Sequence, residues 1–201
     1  MVRWEPGTRE RLQAAALELF LTRGYEQVTA AEIAQAVGVT ERTFFRNFSD
    51  KREVLFHGQE QFLRVFVDSV NDAPADASPL ELVTAVLHGV ASFFPDDRRP
   101  YSRLRQTVID QNPALQEREL LKLAGVAATV AAAMRARGIG EPGATLAAQS
   151  AASVFGIAFT QWIGEGESRS LEDIASDVLR ELRSITRSQP GEVVAGPAPT
   201  R

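Results

Sequence analysis

The sequence predicts an all-α fold. Apolar residues recur at three- and four-residue spacing along most of the chain, no sustained period-two alternation occurs, and Gly, Pro and capping residues punctuate the pattern at helix-length intervals. About nine helices follow, divided into a small N-terminal unit (residues 1–50), a larger helical unit (51–188) and a Pro/Gly-rich tail (189–201) whose composition reads as disordered.

Each element has a local reason. Leu12, Ala15, Ala16, Leu19 and Phe20 lie at helical spacing, with Thr8 as the expected N-cap and Gly24 as the stop. Thr29 and Glu32 then form a Thr-x-x-Glu capping box, in which each side chain satisfies the other's free backbone N–H. The second helix follows and buries Ile33, Ala34 and Val37. Gly38 is placed to take the left-handed conformation that closes it, Val39 folds into the angle, and Thr40 caps a third helix. With only Gly38 and Val39 between helix end and new cap, the two helices must turn sharply, as in a helix-turn-helix, and small Ala34 permits close approach.

A fourth helix is expected from Asp50 to Asn71, carrying Val54, Leu55, Phe62, Val65 and Phe66 inward until the turn formers of Ala73–Pro79. Ser78 as cap and Pro79 at the first position open a fifth, with Leu80, Val83, Leu87, Val90 and Phe94 on one face. The sixth is expected over Tyr101–Gln111, the seventh from Asn112 and Pro113 to Gly138, the eighth over Ala144–Gly164 and the ninth over Leu171–Ser188. The eighth is apolar almost all round and needs cover on every side. A symmetric partner packing against the eighth and ninth helices would supply it, giving a homodimer; a central helix buried within a monomer is the alternative.

Composition excludes several function classes. Without cysteine the chain has no disulfide framework, thiolate zinc site or cysteine nucleophile, which fits a reducing cytoplasm. The start MVRWEPGTRERLQ has no signal-type apolar core, and no run of about 18 uninterrupted apolar residues occurs, so neither export nor a membrane partner is expected. His57 and His88 fall on different expected helices, and no HExxH, GxSxG, P-loop or GxGxxG motif accompanies them. No catalytic site, metal site or cofactor is therefore expected.

Charge distribution is more informative than its sum. The net charge of −4 has the wrong sign for bulk coating of nucleic acid, yet residues 1–52 carry 8 Lys/Arg against 7 Asp/Glu, while the remainder carries 14 against 19. The basic character sits beside the sharp helical turn. There the stretch TERTFFRNF sets Thr40, Arg42, Thr43, Arg46 and Asn47 as short polar or cationic groups, while Phe44 and Phe48 recur at i and i+4 as inward anchors. Phe45 is left for the groove or backbone. This is what a helix entering the major groove of double-stranded DNA requires. Lys51 and Arg52, at the start of the next element, suit a phosphate. The competing reading is a solvated basic face on a scaffold that has lost DNA.

The stretch GYEQVTAAEIAQAVGVTERTFFRNFSDKREVLF resembles the N-terminal domain of tetracycline-repressor-type (TetR family) regulators. Thr29, Ile33, Ala34, Gly38, Val39, Thr43, Phe45, Phe48, Lys51 and Leu55 fall on the family pattern, with Tyr25 before it. The resemblance implies an all-helical homodimer, a three-helix DNA-binding head, and a larger C-terminal domain that binds a small effector and dimerises through its last two helices. Carried over, Thr40, Arg42, Thr43, Phe45, Arg46 and Lys51 become DNA contacts, and Thr29 lends its backbone amide to a phosphate. Phe45 stands where the family usually has tyrosine, so a hydroxyl-to-phosphate bond is lost. RLRQTVIDQNPALQERELLKL and FTQWIGEG are similar to a subgroup associated with acyl-CoA-like ligands.

An effector pocket in such a domain is largely apolar with a few placed polar groups. Phe62, Phe66, Val90, Phe94, Leu104, Val108, Leu123, Val126, Phe155, Phe159 and Trp162 are candidates for its walls, with Arg103, Arg105, Gln106, Thr107 and Gln149 for its polar groups. Each apolar candidate has plain core as its alternative. Arg103 and Arg105 point in different directions on one helix, so at most one faces inward, and a surface role answering Asp96, Asp97 or Asp110 is the other possibility.

Overall fold

The computed structural model describes residues 7–187; the tail expected at 189–201 lies outside them. Among the described residues there are nine α-helices, two short 3₁₀ turns and no strand. In chain order the helices are α1 (Thr8–Arg23), α2 (Ala30–Ala36), α3 (Glu41–Asn47), α4 (Gln59–Asp72), α5 (Pro79–Phe93), α6 (Arg99–Asp110), α7 (Pro113–Ala136), α8 (Gly143–Trp162) and α9 (Leu171–Arg187).

Local chemistry sets most boundaries. The Thr29 side chain accepts from the Glu32 N–H at 3.2 Å, while the Glu32 carboxylate accepts from the Thr29 N–H at 2.8 Å, so the capping box is closed. Gly38 takes φ 72°, and the Gly38 and Val39 amides donate to the Gln35 and Ala34 carbonyls, a complete Schellman closure of α2. Ser78 and Glu81 repeat the capping box at α5. At α1 the expectation fails by one residue: Gly7 occupies the N-cap position and Thr8 is already helical, with no side-chain cap. After α7, Arg137 donates to the Val70, Asn71, Ala73 and Pro74 carbonyls and thereby closes the end of α4.

The expected continuous fourth helix is broken. Arg52–Phe56 form a 3₁₀ turn, His57 is extended, and Gly58 at φ 86° begins α4 afresh. Only glycine adopts that backbone readily. Leu55 and Phe56 are buried with the head, so the chain bends there to satisfy two cores. In α5 the buried stripe is Leu82, Val83, Val86, Leu87 and Val90, and Leu80, expected on it, is 41% exposed in the first turn.

Two hydrophobic clusters result. One joins α1–α3 and the 3₁₀ turn to Val108, Ile109 and Leu115 of α6 and α7. The other is built from α4, α5, α7, α8 and α9. α8 is long and apolar enough to cross a membrane by length and composition. Its inner face (Ala147, Ala148, Ala151, Val154, Phe155, Ala158 and Trp162) is buried against α5, α7 and α9, as in a core helix. Cover therefore comes largely from the same chain, leaving Leu146 and Ile157 on the outer face and Ile185 on neighbouring α9 exposed.

One prediction concerns the α2 cap. The Thr29 backbone N–H, then Arg23, then the Thr29 hydroxyl hold the Glu32 carboxyl down from 4.5 to about 2. A depressed carboxylate contributes stability above its ordinary pKa and loses it as pH falls through the folded value. We expect the Glu32 carboxyl, followed by NMR, to titrate at about 2, with α2 loosening only between 4.5 and about 2. Thr29→Ala should move the midpoint back toward 4.5.

Candidate DNA-binding face and effector cavity

α3 is anchored by Phe44, which is fully buried, and by Phe48, their ring centroids 5.4 Å apart. That anchoring turns Arg42, Phe45 and Arg46 outward: Phe45 is 50% exposed, and neither arginine has an ion-pair partner among the described residues. Thr40 caps α3 by accepting from the Thr43 N–H at 3.2 Å, and the two hydroxyls lie 3.0 Å apart. The Asn47 side chain donates to the Thr43 carbonyl at 2.7 Å, so one of its two amide protons is committed locally.

Two expected phosphate contacts are otherwise engaged. The Thr29 amide is taken by Glu32 in the capping box, so it is not free for a phosphate. The Lys51 ammonium donates to the Tyr25 and Val28 carbonyls at 2.8 and 3.0 Å and lies 4.0 Å from the centre of the Tyr25 ring. It clamps the α1–α2 loop onto the 3₁₀ turn. The amides of Arg52 and Glu53 both donate to the Asp50 carboxylate, which fills the place a phosphate was expected to take. Burial, with the nearby Asp50 and Glu26 charges, pushes the Tyr25 hydroxyl up to about 12, so the ring stays neutral beneath the ammonium.

A cavity of about 540 Å³ opens between the head and the helical domain. Phe62, Phe93, Phe94, Phe155 and Phe159 supply its aromatic wall, and Leu123, Val126 and Ile163 extend it. The rings meet largely edge-to-face, as with Phe62 on Phe94 at 5.6 Å and Phe94 on Phe159 at 5.3 Å. Gly156 leaves its side of the cavity open.

Six of the eleven apolar residues expected in a pocket line this cavity, Phe62, Phe94, Leu123, Val126, Phe155 and Phe159, while Val108 belongs to the head's core. Phe66 lies beneath Phe62 in the core, and Val90 is fully buried there as well. Trp162 is also fully buried, and its indole N–H donates to Asp96 at 3.2 Å. Leu104 is 46% exposed on the outer side of α6. Thr107 turns its hydroxyl back to the Arg103 carbonyl. Arg103 closes the end of α8 by donating to the Ile163 and Gly164 carbonyls, both at 2.7 Å. Helical spacing alone does not tell a cavity wall from the layer behind it.

The polar side of the cavity was only partly legible. Arg105 and Gln106 do reach it, together with Tyr101, Lys122 and Glu119. Arg105 donates to the Leu55 carbonyl at 2.8 Å and to Glu119 at 2.9 Å, so it is neither free nor a partner of the acidic residues expected. The Tyr101 hydroxyl is buried with no hydrogen-bond partner among the described residues, and burial pushes its pKa up, so it remains a donor. At the cavity's edge with the head, burial and the Arg9 charge push His57 down, toward the neutral form. His88 is at the surface, 2.8 Å from Glu172. The signal missed in the sequence was position: Leu55, Phe56, His57 and Gly58 all line the cavity because the chain bends there.

Comparison with known proteins agrees with this architecture. Residues 12–57 match the family of bacterial regulatory proteins, tetR family, and residues 77–187 match the MftR C-terminal domain. The HTH-type transcriptional regulator TcmR of Streptomyces glaucescens is 40% identical over 83 residues, 41% of this chain and 37% of that protein. The MftR protein of Mycobacterium tuberculosis is 28% identical over 123 residues, 59% of each. The chain thus spans less than two thirds of the curated relatives it matches. Among solved structures, FadR of Bacillus subtilis in complex with stearoyl-CoA shares the fold with a TM-score of 0.60 at 20% identity, over 86% of this chain and 96% of that one. With its helix-turn-helix head matched and its C-terminal match covering more than half of its length, the chain belongs to the tetR family of bacterial regulatory proteins.

Proposed function

We propose that the protein is a ligand-responsive, DNA-binding transcriptional regulator, a repressor released from its operator by a small hydrophobic or acyl-type effector. The observation that carries this is the outer face of α3, where Arg42, Phe45 and Arg46 stand exposed on a helix fixed from below by Phe44 and Phe48. Exposed arginines without ion-pair partners suit phosphates and guanine edges, and the aromatic-walled cavity next to the head suits an apolar effector. FadR of Bacillus subtilis, bound to stearoyl-CoA, is a precedent on the same fold. Thr40, Thr43 and Asn47 complete the reading face; Lys51 supports it from behind.

The working unit is a homodimer in the cytoplasm, joined through α8 and α9, whose exposed Leu146, Ile157 and Ile185 need cover. Its two recognition helices would meet a palindromic operator in successive major grooves, roughly 34 Å apart. The effector acts by binding the form with the wrong spacing more tightly than the DNA-ready form. Catalysis is not part of this reading: His57 sits edge-on to Phe48 at 5.9 Å, and His88 pairs with Glu172 at the surface.

The test is a fluorescence-anisotropy titration against the DNA flanking the protein's own gene, with a random duplex as control. We expect specific binding that Arg42→Ala weakens by about 1–3 kcal/mol while relaxing sequence preference. Equal, weak binding of both duplexes at physiological salt would identify a scaffold that has lost DNA.

A further inference from the structure

The cavity carries a feature that an apolar effector does not use. Arg105 of α6 and Lys122 of α7 line it with side chains only 19% and 16% exposed, and both lie over the Phe56 ring, at 5.0 and 5.4 Å. The same two cations hold the turn that leads out of the DNA-binding head. Arg105 grips the Leu55 carbonyl at 2.8 Å. Lys122 bonds Glu53 at 3.0 Å, and Arg118 bonds the other Glu53 oxygen at 2.7 Å. Glu53 is 17% exposed; burial pushes its carboxyl up, but the bonds and charges of Arg118 and Lys122 outweigh this and leave it below its ordinary value. It is ionised and held. Upstream, the turn is fixed to the α1–α2 loop by Lys51.

We infer that Arg105 and Lys122 are at once the receptor for an anionic head group on the effector and the latch that ties the DNA-binding head to the effector domain. Among the described residues Lys122 has a single carboxylate partner, so two of its three protons are open to an incoming anion. Such an anion exchanges one charge-assisted bond for another, and the cations need no further desolvation because the fold has already removed them from water. As the cations turn to it, Glu53 is left with Arg118 alone, the Leu55 carbonyl loses its Arg105 partner, and the Arg52–Phe56 turn is loosened. A neutral head group fills the same aromatic space without drawing the cations away. Glu119, held by Arg105 at 2.9 Å and by Gln106 at 3.2 Å, is the carboxylate that must swing aside, and at 24% side-chain exposure it has a route to water. This inference rests on the ligand-responsive reading and adds that the effector's charge, beyond its apolar bulk, decides release.

The experiment compares three probes of equal chain length, dodecanoate, dodecyl phosphate and dodecanol, on the full chain. Their binding is measured by calorimetry, operator affinity by anisotropy, and the freedom of the Arg52–Phe56 turn by amide hydrogen exchange. The expected result is that all three bind, that at least one anion weakens operator binding by about tenfold or more and speeds exchange of the turn, and that dodecanol changes either by less than about twofold. The more effective anion identifies the head group as carboxylate or phosphate. Glu53→Gln is expected to show fast exchange of the turn without any ligand. Release by dodecanol as strong as by the anions, failure of both anions to bind, or wild-type exchange in Glu53→Gln would each overturn the proposal. Absence of operator binding by the ligand-free protein would instead count against the regulator reading, and the exchange measurement would still decide the latch.

Discussion

Phe44→Ala is expected to unfold the head while leaving the larger helical domain in place. Phe44 is fully buried and meets both Phe45 and Phe48 at ring-centroid distances of 5.4 Å, so its removal leaves a cavity under the buried face of α3. Truncating a buried phenylalanine costs about 3–5 kcal/mol, a large share of the stability available to a small domain. α3 has seven residues and no means of standing alone. Hydrogen exchange should show protection lost over residues 8–48 and retained in α8, because the two hydrophobic clusters are separate. Phe45→Ala is the contrast: half exposed, it should change stability by less than about 0.5 kcal/mol and affect only DNA binding. Equal loss of stability from both substitutions would count against Phe44 as the inward anchor of α3.

Trp162→Ala should have the largest effect in the larger helical domain. The ring is fully buried, packs 5.9 Å from Phe94 and 5.8 Å from Phe159, and lies under the Arg99 guanidinium at 5.2 Å. Arg99 in turn donates to the Glu167 and Arg169 carbonyls, so this point ties the α8–α9 connection to α6. A loss of about 3–5 kcal/mol is expected, which corresponds to a fall in Tm on the order of 10 °C for a chain of this size. A thermal melt checks it directly. Unchanged Tm with weakened effector binding would restore Trp162 as a cavity wall.

These two residues also mark what local pattern can and cannot resolve. Phe44 and Phe48 were legible as anchors because i and i+4 on a short capped helix leave one inward face, and Arg42 and Arg46 then have nowhere to go but out. Trp162 and Phe159 are three residues apart on α8, share its inner side, and differ only in which layer of the bundle each one meets. The same holds for Phe62 against Phe66 on α4. Arginine presented the sharper difficulty. Arg103, Arg105 and Arg137 all bind backbone carbonyls of elements distant in sequence, and nothing next to them in the chain announces those partners.

The sequence by itself determined the all-α class, nearly every helix boundary, the α2–α3 turn and the exposed outer face of α3. These depend on interactions within a few residues: the Thr29–Glu32 box, the left-handed Gly38, the Thr40 cap and the Ser78–Pro79 start. Tertiary structure alone decided the bend at Gly58, the capture of Lys51 by the backbone of the α1–α2 loop, and the union of Arg105, Lys122, Glu53 and Leu55 at the cavity. The reason is range. A cap is a contest between one side chain and its own helix end, whereas a cavity wall or a shared cation is fixed by which of several distant groups the packed cores bring within 3 Å of it.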